Sequence, residues 1–116
     1  MMVRIAVDGV VIATGLLDDN ASARNFAALL PLDLLLNDYE ATEKIAHLPR
    51  RLSTVGAPTS WTPSAGDIAY YAPWGNLAIF YAPGPLSEGL VRLGRLHVGT
   101  EALRRVGPVA VRIVFE

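Results

Sequence analysis

The chain has no cysteine. That excludes a disulfide framework, a thiolate nucleophile and any zinc or iron–sulfur site built on cysteine ligands. Histidine is scarce as well: His47 and His97 lie far apart, without the His-x-His or His-Glu-x-x-His spacing of a metal site. Asp and Glu do not cluster at ligand spacing either, so neither a metal nor a cofactor is expected. Lys44 is the only lysine, and the formal net charge of −1 gives no electrostatic reason to expect a nucleic acid or an anionic membrane as partner. No apolar run approaches the roughly 18 residues that cross a bilayer. The opening MMVRIAVDGVV alternates apolar and polar residues and lacks the charged and apolar regions of a signal peptide, so a cytoplasmic location is the expectation.

What is abundant is apolar surface. Hydrophobic residues make up 52% of the 116 residues, more than an average soluble domain carries. A chain of this length buries a sizeable core in one domain, residues 1–116, without staples. The surplus suits a closed barrel, and it would also suit an assembly of identical copies.

Strand periodicity dominates. Val3, Ile5 and Val7 alternate with Arg4, Ala6 and Asp8, and Asp8-Gly9 between two apolar runs reads as a hairpin turn, with Val10 to Thr14 returning. The period then changes: Ala23, Phe26, Ala27 and Leu30 fall on one face of a helix. Asp19 or Asn20 supplies the N-cap and Pro31 stops the helix, which spans about residues 20–30. Leu32 to Asn37 reads as a strand, as does Ala41 to Leu48, with Glu43, Ile45 and His47 on one side and Thr42, Lys44 and Ala46 on the other. Pro49 to Ser64 is a loop with room for a short strand. Gly66 to Ala72 and Leu77 to Ala82 pair around Pro73-Trp74-Gly75-Asn76, and Pro83-Gly84-Pro85 breaks the chain again. Leu90 to Val98 changes parity across Gly94, which predicts a bulge there. A short helical turn over about residues 100–105, capped by Thr100, precedes a final strand in which Val109, Val111, Ile113 and Phe115 alternate with Ala110, Arg112 and Val114. Strands without a βαβ series make the class mainly β, and a closed barrel of about eight strands removes their edges.

Several blocks resemble a known family. Asn20-Ala21-Ser22-Ala23-Arg24-Asn25-Phe26-Ala27-Ala28-Leu29 resembles the first helix of cyclophilins, and Leu93 to Leu103 resembles the cyclophilin strand that runs through a Gly into a short helix. Leu29-Leu30-Pro31-Leu32, Glu43-Lys44, Leu48-Pro49, Gly66 to Tyr71 and Pro73 to Tyr81 are similar to a family of small bacterial and archaeal cyclophilin-like proteins of unassigned function. The resemblance implies a cyclophilin-like barrel and brings prolyl isomerisation to mind. An X-Pro bond turns over against a barrier of roughly 20 kcal/mol. Catalysis needs an apolar pocket and a cationic donor that favours the twisted amide. Cyclophilins take that donor from an Arg on the strand after the first helix. Here that strand, Leu32 to Tyr39, contains no Arg, so no catalytic residue carries over.

Each remaining candidate also has an ordinary role open to it. Glu43 is a polar anchor or general base in a cleft, or else an exposed strand carboxylate. Arg50 and Arg51 open the Pro-rich loop, where either would replace the missing donor, or simply be solvated. Trp61, Tyr70, Trp74 and Phe80 supply an aromatic groove, or pack the core. No serine lies in a Gly-x-Ser-x-Gly setting and no Gly-rich phosphate loop is present. The expectation is therefore a barrel whose cleft binds a peptide or small ligand. The alternative is an atypical prolyl isomerase using Glu43 with Arg50 or Arg51.

Overall fold

In a computed structural model that describes residues 1–116, β1 (Met2–Val7) and β2 (Val10–Leu17) meet at Asp8-Gly9. Both turn residues have positive φ, 51° and 79°, the pairing that matches the twist of a two-residue hairpin. Further along follow α1 (Ala21–Ala28), β3 (Leu32–Tyr39), β4 (Glu43–His47), β5 (Ser60–Trp61), β6 (Asp67–Tyr71), β7 (Asn76–Phe80), β8 (Ser87–Glu88), β9 (Leu90–Val98), a 3₁₀ turn (Thr100–Leu103) and β10 (Val109–Phe115). Eight of the strands close into one antiparallel barrel in the order β1-β10-β3-β4-β7-β6-β9-β2, while β5 and β8 form a separate ribbon. Closure leaves none of the eight with a free edge. The mainly β barrel with one helix and one short helical turn is thus the observed architecture.

Alternation decides what fills it. Val3, Ile5, Leu36, Ile68, Tyr70, Leu77, Ile79, Leu93, Val109, Val111 and Ile113 point inward and belong to one buried cluster. On β6 and β7 the intervening residues Ala69, Ala78 and Phe80 join Leu90 in a second, smaller buried cluster on the other side of the wall. The barrel is therefore apolar on both faces along this stretch, and Ile45, Trp61 and Tyr71 pack against the outer one.

Helix α1 buries Ser22, Ala23, Phe26 and Ala27. Asn20 is its cap: its Oδ1 accepts from the Ala23 backbone N–H at 2.8 Å. Asp19 instead pairs with Arg24 at 2.6 Å. The expected bulge lies on β9: Ile68 pairs with Gly94 and Ala69 with Arg92, leaving Leu93 as the extra residue. A second irregularity skips His97, since Thr14 pairs with Val98 and Gly15 with Leu96. Gly94 is needed at this crossing, because a Cβ there would collide with the Leu16 carbonyl oxygen. The short helical turn departs from expectation in its cap. Gly99, at φ 95°, occupies that position in place of Thr100, because the chain there runs against Ile12 and Ala13 and must enter left-handed. No helix is long and apolar enough to cross a membrane.

Candidate functional site

The outer face of β4, β6 and β7 carries a cleft of about 400 Å³. Its size falls in the range of small-ligand sites. Three aromatic rings stand at its rim. Trp74, in the β6–β7 turn, meets Tyr39 edge-on at 5.5 Å between centroids and Tyr71 at 5.2 Å. Phe80 and Ile45 supply apolar floor, and Glu43 and Asn76 supply polarity. Strand parity explains the grouping: Asn76, Ala78 and Phe80 alternate on β7 with the inward Leu77 and Ile79. Glu43 lies opposite Phe80 in the β4–β7 register and opposite Tyr39 in the β3–β4 register.

Both polar groups are out of the ordinary. Glu43 has no cationic partner; its one recorded side-chain bond is from the Thr42 hydroxyl at 3.4 Å. Burial pushes its carboxyl up to about 7, with the Thr42 hydrogen bond opposing and the nearby Glu40 charge adding to the rise. Asn76 is 3% exposed, and its side-chain oxygen Oδ1 is buried with no hydrogen-bond partner. A buried carbonyl without a donor costs about 1–3 kcal/mol. Neither group has a strong partner within the barrel. The cleft lining contains Glu40 and Glu43 and no Lys, Arg or His. The turn that presents Glu40 is itself strained, with Glu40 at φ 54° and Ala41 at φ 52°.

Of the seven sequence candidates, Glu43, Trp74 and Phe80 come together in this cleft. Tyr70 does not. It is 1% exposed inside the barrel, where its hydroxyl accepts from the Leu52 backbone N–H at 3.2 Å. Its parity on β6 is that of Ile68, so the aromatic that reaches the cleft is its neighbour Tyr71. Arg50 and Arg51 lie outside the cleft lining and are exposed; Arg51 donates to the Ala72 carbonyl at 2.8 Å. Trp61 belongs to an adjoining groove of about 300 Å³. Its indole N–H donates to Asp67 at 3.0 Å, and Arg92 sits 5.9 Å from its ring while pairing with Asp18 at 3.1 Å. The groove's one cation is thereby answered within the protein.

In the sequence Asn76 has the composition of a turn residue, yet it shares outward parity with Phe80. Neither Asp67 nor the Lys44–Asp38 pair carries a sequence signal of its role. Asp67 is 1% exposed and accepts from Trp61 and from the Ser64 backbone N–H at 2.9 Å, while Arg95 bonds its other oxygen at 2.9 Å. It pins the loop leading into β6. Lys44 is fully buried, and its three ammonium protons go to Asp38, the Arg105 carbonyl and the Gly107 carbonyl, each at 2.7 Å. The Lys44 bond, with the Gly107 N–H, holds the Asp38 carboxyl below its ordinary value. This network joins β3 and β4 to the loop before β10 and so fixes the strand that carries Glu43.

The fold has a known counterpart. The solution structure of a hypothetical protein from Archaeoglobus fulgidus superposes with a TM-score of 0.65 at 15% identity, covering 100% of this chain and 95% of that one. At that identity the likeness concerns the fold. No curated protein sequence matches the chain. A family model described as the Cyclophilin-like family matches residues 5–114. That span begins within β1, ends within β10 and takes in the six barrel strands between them and every residue of the cleft, so the chain belongs to the Cyclophilin-like family.

Proposed function

We propose that the protein is a binding module that holds a small molecule or a peptide segment in the cleft beside Trp74. One observation carries this reading: a half-buried carboxyl without a cation and a buried amide side chain whose oxygen has no partner line one concave surface walled by aromatic rings. Convergent polar groups in an apolar cleft are the usual composition of a ligand site. Turnover finds less support. Prolyl isomerisation needs a cation at the amide, and the cleft lining has none, with both loop arginines elsewhere.

The test is a titration followed by amide and indole NMR shifts, using a mixed panel of small amines, acids, amides and short peptides. Binding moves Trp74, Tyr71, Asn76 and Glu43 together. If every member of the panel leaves those four residues unmoved, the reading fails.

A further inference from the structure

We infer that the cleft takes an organic cation carrying N–H donors, an alkylammonium or guanidinium group, either free or at the tip of a peptide side chain. This rests on the binding reading above and names its ligand class. The cleft offers acceptors and no cationic donor. Asn76 also belongs to the lining, with its Oδ1 unpartnered but shut off from solvent, so Glu43 is the acceptor that an occupant's N–H reaches. Glu43 and Glu40 place two carboxyls at the same surface, and no Lys, Arg or His lines it to balance them. An anionic occupant meets repulsion from both. A neutral one leaves Glu43 without a counter-charge in a partly buried place.

The aromatic rings select in the same direction. Trp74, Tyr39 and Tyr71 form two edge-to-face pairs around Trp74, and aromatic faces attract cations through the ring quadrupole. A quaternary ammonium would use the rings alone, having no N–H for Glu43. A primary ammonium or a guanidinium uses the rings and the Glu43 carboxyl together. Other charged groups near Glu43 are committed elsewhere or distant: Lys44 points to the barrel interior onto Asp38, and His47 lies at the far end of β4 outside the lining. Tyr39 and Tyr71 are the remaining titratable groups at the cleft.

The experiment is NMR titration of the full chain with n-butylguanidinium, n-butylammonium, tetramethylammonium and neutral n-butanol, together with an Arg-containing tripeptide and its citrulline counterpart. The two guanidinium and ammonium probes, or the Arg peptide, are expected to move Trp74, Asn76 and Glu43. The neutral and quaternary probes bind at least about tenfold more weakly, a difference of about 1.4 kcal/mol. Glu43→Gln weakens n-butylguanidinium about tenfold or more. Trp74→Leu, at a ring 47% exposed and so safe for folding, weakens it about fivefold. If the Arg peptide binds and the free probes do not, the cation arrives on a peptide; the reverse ranking assigns a free small molecule. Equal binding of n-butanol or the citrulline peptide, unaffected by Glu43→Gln, overturns the cation inference and leaves the binding reading standing. Silence of the cleft residues toward every class overturns both.

Discussion

Glu43 and Lys44 are neighbours on β4, yet their charges do not answer each other: Lys44 is bonded to Asp38 inside the barrel at 2.7 Å, while Glu43 faces the outer cleft without a cation. Strand alternation imposes this separation. The inner charge is fully satisfied and serves the fold. The outer one is only weakly bonded, lies partly buried, and is available to an occupant.

The pH dependence of stability exposes the cost of that arrangement. Glu43 has its carboxyl at about 7 in the folded chain against 4.5 when free, so between those values the folded state binds the extra proton. Its favourable contribution is full below about 4.5 and is lost as pH rises through about 7. Glu43→Gln therefore gains stability relative to the parent on going from about pH 5 to about pH 8, in urea denaturation at each pH. A difference between variant and parent that does not move in the variant's favour between the two pH values contradicts the assignment.

Lys44→Met tests the inner network. It strands the Arg105 and Gly107 carbonyls and leaves Asp38 without its cation. The expected loss is about 3 kcal/mol. Arg112→Ala, which breaks a pair with Asp33 whose side chains are 52% and 71% exposed, costs less than about 1 kcal/mol. Equal losses in the two variants would show that Lys44 is not held as described.

Asp67 anchors the Trp61 loop, so Asp67→Ala costs about 2–3 kcal/mol through unpaired buried donors. In a Trp74→Phe background the remaining Trp61 fluorescence reports the loop. It shifts toward the red as the indole N–H loses its acceptor and meets water. An unshifted spectrum contradicts the anchor.

Prolyl isomerisation has a simple expectation. Without a cation in the cleft, a proline-containing peptide relaxes at its uncatalysed rate, over tens to hundreds of seconds. Catalysed turnover that Arg50→Ala or Arg51→Ala abolishes would restore the isomerase reading.

Much of this was legible in the residues. The Asp8-Gly9 turn, the helix around Phe26, the bulge at Gly94 and the opposed faces of Glu43 and Lys44 all follow from local periodicity or from glycine's freedom. Tyr70 was not, because alternation says that Tyr70 and Tyr71 face opposite ways without saying which way is in. That depends on which strands flank β6, β7 and β9, a long-range fact. Asn76 was hidden for a related reason. Next to Gly75 it carries a turn composition, and only the pairings with His47 and Tyr71 make it the first residue of a strand. Lys44 as a fully buried residue runs against the general preference of lysine for water. Only the approach of Asp38 and the loop near Gly107 makes it possible.

The most direct test is the titration of the Glu43 carboxyl itself, followed by its side-chain ¹³C shift with and without saturating n-butylguanidinium. The free protein is expected to show a midpoint near 7. A cation that prefers the ionised form tenfold lowers that midpoint by about one pH unit, by linkage. A midpoint near 4.5 in the free protein, or one that the cation leaves in place, would contradict the account.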